Sequence, residues 1–411
     1  MKIAYVFHHD AANPAVQSGL PASSLAGLRR LGANIIPVFP LATRPPRAFA
    51  KKILSRLVGR RYRGDREPAY LAAAADEFDA RVADEDFDLV YTPGSEIVGS
   101  LRTNRPVAFA SDATFANMVD YYWDFTNLSP EYLRMGHEQE AAAIAKASLC
   151  VYSADWAAKS AIDDYGADPA KVAVIPFGAN IGQDNTWPEV RGWIESRSRD
   201  ELRLLFVGRH WERKGGDILV HAAYCLAKLG HKVRVDIVGC PIPARHRSLP
   251  WLHGHGLLSP RVSADMARLH ELFTRAHFVF VPSRAECYGM TFAEANAYGV
   301  PAISTDTGGV RGVVKDGYNG YLLPLDAQGP AYADLVASAF ANPAHYERLC
   351  AQSFEAFARY HNWNAFCRKF VSTVVERGLA PAPRATLPNP RQPAVARAAE
   401  RELFSAEGAW A

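Results

Sequence analysis

The chain has 411 residues, a hydrophobic fraction of 49% and 22% charged residues, as expected of a globular protein with two or three domains. Wholesale disorder, a collagen-like repeat and a disulfide scaffold are excluded. Lys+Arg 46 against Asp+Glu 43 leaves +3, so nucleic acid is not the expected partner and any basic function has to be local.

In chain order, short β-branched apolar runs alternate with helical patterns. Residues 3–7 read as a first strand, and 20–31 as a helix ended by Gly32. Runs at 35–39, 89–91, 107–110, 149–152 and 172–175 continue the series. Runs this short and this apolar suit strands buried on both faces of a parallel sheet, with helices as crossovers. Residues 180–200 are polar and without clear period, and read as a linker. The series then restarts: strand 202–207, helix 217–229, strand 233–238, strand 278–281, helix 292–298, and strands 301–304 and 321–323. Two Rossmann-like halves are expected, over 1–179 and 201–350, with a ligand cleft at the carboxyl ends of facing sheets. Helices over 351–378 follow, with Asn362 as N-cap of the helix from Trp363, and then a Pro- and Ala-rich tail over 379–411. The six cysteines form no CxxC pair and read as buried reduced thiols in a cytoplasmic setting. The first residues are too soon polar for a secretory segment, and no run approaches the about 18 apolar residues of a spanning helix.

Two segments carry the chemistry. In Pro282-Ser-Arg-Ala-Glu286-Cys-Tyr-Gly289-Met290-Thr291-Phe-Ala-Glu294, a strand end leads through a short loop into a helix. The helix start offers N–H groups and a positive dipole end to a phosphate, and Gly289 lets the backbone approach a ligand. Glu286 and Glu294 can accept hydroxyl hydrogen bonds on either side, or serve as a solvated loop acid and a dipole-stabilising surface acid. In Gly208-Arg209-His-Trp-Glu-Arg-Lys214-Gly215, Arg209 and Lys214 follow another strand end and suit a diphosphate.

Over residues 202–326 the chain resembles the retaining glycosyltransferases of family 4, the group 1 glycosyltransferases, whose GT-B fold is two facing Rossmann-like α/β domains with a C-terminal crossing helix. Glu286 and Glu294 reproduce the Glu-x7-Glu motif of that family, and Gly208-Arg209 with Lys214-Gly215 its donor-phosphate motif. Gly308-Gly309-Val310, Asp316-Gly317 and Gly320–Pro324 fit the segments that follow, and Tyr152-Ser153, Tyr165-Gly166 and Val174–Gly178 give a looser match in the first half. The resemblance implies transfer of a sugar from a nucleotide-diphosphate sugar to an acceptor hydroxyl with retention of anomeric configuration, and without a metal or cofactor. It implies that Arg209 and Lys214, with the amides of Gly289, Met290 and Thr291, stabilise the leaving diphosphate. Glu294 then matches the ribose-binding glutamate, Glu286 the residue addressing the donor sugar, and Gly19 the family's glycine-rich loop, here with Ser18-Gly19 in place of Gly-Gly.

Many members carry a histidine where strand 107–110 ends, but this chain reads Ala110-Ser111-Asp112. Asp112 is either a catalytic residue toward the acceptor or a helix N-cap. His137 reads as a surface residue. The Asp84-Glu-Asp86-Phe-Asp88 run precedes a strand and reads as a solvated acidic turn, and His246, His253 and His255 lack the ligands to complete a metal site. Two other readings are an epimerase acting on nucleotide sugars in the same fold and a catalytically silent nucleotide-sugar-binding subunit. Finally, Arg44 to Arg66 holds nine cations and one acid, Asp65, with Phe49, Ile53, Leu54, Leu57 and Val58 at helical spacing. Either this basic amphipathic helix lies on an anionic membrane, consistent with a glycan or lipid-linked acceptor, or its stripe packs on its own domain.

Overall fold

The computed structural model describes residues 1–44, 48–182 and 185–383. The expected tail therefore lies outside the described residues from position 384 on, as do 45–47 of the basic stretch and 183–184 of the expected linker. The chain forms two compact units, one holding Met1–Pro176 and resuming at Phe366, the other Phe177–Ala365.

In the first unit, strands β1 (Lys2–Val6), β2 (Asn34–Val38), β3 (Leu89–Thr92), β4 (Val107–Ser111), β5 (Leu149–Tyr152) and β6 (Val172–Val174) form one sheet in the order β2-β1-β3-β4-β5-β6, every pair parallel. β3 and β5 are buried along their whole length, as their unbroken apolar runs require. β2 lies at the edge, where Pro37, opposite Tyr5, interrupts no central ladder. The helices are α1 (Leu20–Arg30), α2 (Phe49–Leu57), α3 (Pro68–Val82), α4 (Phe115–Met118), α5 (Pro130–Lys146) and α6 (Asp155–Asp163).

The second unit contributes α7 (Trp187–Ser196), then β7 (Leu202–Val207), α8 (Gly216–Lys228), β8 (Val233–Val238), β9 (Leu252–Gly254), α9 (Ser263–Arg275), β10 (Phe278–Val281), α10 (Met290–Ala297), β11 (Ala302–Thr305), β12 (Gly320–Leu323), α11 (Gly329–Ala341) and α12 (Pro343–Arg359). Its sheet is also parallel, in the order β12-β11-β10-β7-β8-β9. A last helix, α13 (Trp363–Glu376), is capped by Asn362, whose Oδ1 accepts from the Ala365 amide at 2.8 Å. From Phe366 onward its residues belong to the first unit, where Phe370 meets the Tyr91 ring edge-on at 5.1 Å and the Cys367 thiol donates to the Ser24 carbonyl at 3.7 Å.

Each sheet reverses its direction of growth once, between β1 and β3 in the first and between β7 and β10 in the second. Loops leaving the carboxyl ends of two such strands depart to opposite faces and open a crevice. The second unit thus places the loop after β7 beside the loop after β10.

The 180–200 segment differs from the expected linker. Trp187–Ser196 is helical, with Thr186 and Glu189 forming a capping box. Its anchors are polar: Asn185 Nδ2 donates to the Ala297 carbonyl at 2.8 Å, and the Arg197 guanidinium to the carbonyls of Tyr298 and Gly299 at 2.8 and 2.9 Å. The helix also carries an apolar stripe, Trp187, Val190, Trp193 and Ile194, with Trp187 stacked on Phe354 at 5.6 Å and Trp193 against Tyr298 at 5.5 Å, so its periodicity was present in the sequence.

Candidate functional site

After β7 the chain turns through residues 208–215 into α8. The turn is closed by Lys214 N–H donating to the His210 carbonyl at 3.0 Å and Gly215 N–H to that of Glu212 at 3.1 Å. Gly215 is left-handed at φ +73°, and a Cβ on it would stand 2.1 Å from the Pro282 carbonyl oxygen. Glycine is therefore required twice over, by backbone conformation and by the approach of the β10 loop. A Cβ on Gly208 would stand 2.8 Å from Lys214 Cγ, so this glycine lets the lysine side chain cross the end of β7.

Further hydrogen bonds join the two loops. Arg284 N–H donates to the Arg213 carbonyl at 2.7 Å, and Arg213 Nη1 to the Ala285 carbonyl at 2.8 Å. The Gly309 amide, after β11, donates to the Glu286 carbonyl at 3.1 Å. Gly289, at φ +101°, is the N-cap of α10. The Thr291 hydroxyl donates toward the Val207 carbonyl at 3.5 Å, which sets the first turn of α10 over the end of β7.

Lys214 and Glu286 are both buried, and the lysine Nζ donates to Glu286 Oε2. Arg213 Nη1 lies 3.8 Å from the same oxygen, and Ser283 Oγ donates to it at 3.4 Å. Burial alone would raise the Glu286 carboxyl, but the charges of Lys214 and Arg213 and the two hydrogen bonds outweigh it, so the group is held below its ordinary range. Glu294 shows the opposite balance. Burial pushes it up to about 8, and Lys214 offsets only part of this. The two carboxyls are thus pulled in opposite directions, Glu286 below the ordinary range and Glu294 above it.

Of the residues expected in the site, this crevice brings together Lys214, Glu286, Gly289, Met290, Thr291 and Glu294. Arg209 is on the same turn, exposed, and makes no ion pair among the described residues. Gly19 and Asp112 belong to the first unit. Gly19 is the buried N-cap of α1 at φ +84°, and Gln17 and Ser18 before it are also left-handed, at 44° and 53°. Such backbone in non-glycine residues stores strain and recurs at functional loops. Asp112 follows β4 and is exposed, but it is not the cap of α4. That role falls to Thr114, in a capping box with Asn117, which corrects the helix-cap reading of Asp112.

Sequence reasoning missed Arg213 and Ser283, although Arg213 stands directly before Lys214. It also missed a buried acid in the first unit. Glu140 is 1% exposed, accepts from Ser95 Oγ at 2.9 Å, and is pushed up to about 7 by burial against the pull of Arg66. Its signal was present, since Tyr132, Met135, Gly136, Gln139, Glu140, Ala143 and Ile144 fall on one helical stripe of α5. His137 is exposed, as read, with Nδ1 2.9 Å from the Tyr165 hydroxyl. His246 and His255 pair with different aspartates, Asp217 and Asp236, each at 2.7 Å, and so do not converge. Asp86, exposed, pairs with Arg105 at 2.6 Å, and Asp88 accepts from the Lys2 amide at 2.7 Å before β3.

The model of the family described as glycosyl transferases group 1 matches residues 193–355, which contain this whole site. A D-inositol 3-phosphate glycosyltransferase from Nocardioides is 32% identical over 256 residues, 57% of this chain and 54% of that protein. The chain thus spans about half the length of the curated relatives it matches. Among solved structures, the sucrose-phosphate synthase of Thermosynechococcus elongatus superposes with a TM-score of 0.69 at 18% identity, covering 92% of this chain and 98% of its own. HepE from Anabaena, in complex with UDP-glucose, gives 0.60 at 16% identity over 92% and 100%. The fold is GT-B, with two Rossmann-like α/β units.

Proposed function

We propose that the chain is a group 1 glycosyltransferase of family 4 that transfers a sugar from a nucleotide-diphosphate sugar to an acceptor hydroxyl with retention of anomeric configuration. The observation that carries this is the cluster at the β7/β10 crevice, where Lys214, Arg213 and Glu286 gather beside the first turn of α10. In the reaction the bond between the anomeric carbon and the diphosphate oxygen breaks with its electron pair, and the diphosphate gains charge. Lys214, Arg209 and the amides of Gly289, Met290 and Thr291 meet that charge. The acceptor oxygen forms the new bond and gives up its proton. Glu286 addresses the donor sugar and Glu294 the ribose hydroxyls. Gly19 is proposed as a further donor contact, and Asp112 as the residue that orients or deprotonates the acceptor.

The family match over the site and the UDP-glucose held by HepE in the same fold support this reading. With cations and amides neutralising the phosphates, no metal or cofactor enters the proposal. The acceptor is proposed to be a glycan or lipid-linked hydroxyl, with the enzyme in the cytoplasm and peripheral at a membrane.

The test is product analysis with a panel of nucleotide sugars. A new glycoside with the anomeric configuration of its donor, formed equally in EDTA, is expected. An inverted product removes the retaining assignment, and loss of activity in EDTA restored by Mg²⁺ removes metal independence. An isomerised donor would instead identify an epimerase, and binding without turnover a silent subunit.

A further inference from the structure

We propose that α2 is a membrane-docking helix that lays its apolar face on an anionic lipid surface. At 100° per residue, Phe49, Ile53, Leu54, Leu57 and the capping Val58 fall on one half of the helix, and Lys51, Lys52, Ser55 and Arg56 on the other. A surface helix ordinarily turns its apolar half to the core, but here the orientation is reversed. Lys51 ties the polar half to the protein, its Nζ 2.9 Å from Glu67 Oε1, 2.8 Å from Glu131 Oε1 and 3.1 Å from the Tyr62 hydroxyl, while Arg56 of that half is exposed at the border of the apolar half. No side chain of α2 is buried. Leu57, Val58, Leu54 and Phe49, at 77, 69, 68 and 67%, are the four most exposed large apolar side chains among the described residues. The stripe therefore does not pack on its own domain, and a contiguous patch of this kind marks an interaction surface.

The charges around the patch select its occupant. Lys52, Arg56 and Arg60 make no ion pair among the described residues, while the one acid of the stretch, Asp65, is held by Arg63 at 3.0 Å. Arg61 stacks over Trp123 at 5.3 Å, and this tryptophan is itself exposed, an aromatic and a cation together as at a lipid–water boundary. A second copy of the chain would bring the same cations against one another. An anionic bilayer offers both partners at once, acyl chains to the apolar half and headgroups to the cations that flank it.

The experiment is co-sedimentation of the full chain with vesicles of phosphatidylcholine, alone and mixed with phosphatidylglycerol. Pelleting with the mixed vesicles at low salt, lost at high salt and absent with phosphatidylcholine alone, is expected. Leu54→Glu with Leu57→Glu should abolish it with the thermal transition unchanged, because both side chains are solvent-exposed in the fold. Neutralising Lys52, Arg56 and Arg60 to Gln should raise the lipid concentration needed, by roughly fivefold for each cation. No pelleting with anionic vesicles at low salt overturns the proposal, as does pelleting unaffected by the Glu substitutions or equal on neutral vesicles. So does a lipid-free dimer that the Glu substitutions dissolve. Docking is read from protein mass and not from turnover, so Lys214→Ala should pellet like the parent whether or not the chain proves to be a transferase.

Discussion

A buried ammonium beside a buried carboxylate has given up most of its water, and each group then depends on the other. Glu286 holds Lys214 and Arg213, so Glu286→Gln leaves two cations facing each other, whereas Lys214→Ala leaves the carboxylate with Arg213 at 3.8 Å. Breaking a buried pair costs about 3–5 kcal/mol when nothing replaces the partner. Urea denaturation should accordingly show Glu286→Gln to be the more destabilised of the two. Kinetics should rank them differently. Lys214→Ala is expected to lower kcat/KM by about 10²–10³ through lost stabilisation of the leaving diphosphate. Glu286→Gln should keep nucleoside-diphosphate affinity while losing turnover, and an unchanged kcat would remove it from the site. A pH dependence follows from Glu294 and Glu140, raised by burial to about 8 and about 7 from 4.5. Groups raised in the folded state stabilise it fully below their unfolded pKa, and that contribution is lost as pH rises through the folded value. Between pH 5 and 8.5 the two should make stability decline with pH, and Glu140→Gln should flatten the curve over its lower part. A slope unaltered by Glu140→Gln would show that this carboxyl ionises normally.

At the scale of elements, the site exists because two turns can touch. Gly215 and Gly317 have the same φ of +73°, but a Cβ would strike the Pro282 carbonyl at the first and meet nothing within 4 Å at the second. Gly317→Ala should therefore cost only the left-handed penalty of about 1–2 kcal/mol and leave activity intact. Gly215→Ala pays that penalty and also pushes the β10 loop away, so activity should collapse with it. Equal activity in the two variants would mean that the contact between the turns is dispensable. The same logic explains what sequence showed at this scale. Lys-Gly-Gly reads as a turn anywhere, but its reason here is a carbonyl 67 positions further along the chain.

At the scale of the whole molecule, a ligand that binds only the folded chain raises its stability by mass action, about 2.7 kcal/mol at a hundredfold excess over Kd. Nucleoside diphosphates should raise the thermal transition of the parent and not that of Lys214→Ala, as followed by scanning calorimetry. A rise of equal size in both would place the phosphates away from the β7/β10 crevice. Much of this architecture was legible in the sequence by itself. Strands buried on both faces are largely apolar, so the runs at 149–152 and 278–281 named their strands to the residue, as did those at 202–207 and 233–238 despite Arg203, Arg234 and Asp236 within them. Glu286, Glu294, Arg209 and Lys214 stood out because they match the Glu-x7-Glu and donor-phosphate motifs of the family that the chain resembles, placed at a helix start and two strand ends. What the sequence left undecided depends on distant partners. Thr114 and not Asp112 caps α4, and Glu140 lies on a buried stripe of α5 where Ser95 and Arg66 offset part of the cost of its burial. The amphipathic character of α2 could be read directly, but not the direction it faces. That was decided by Glu67 and Glu131, which hold Lys51 against the protein and turn the apolar half outward. Periodicity records what a helix offers on each side, and only the charges folded beside it determine which side is left to the solvent.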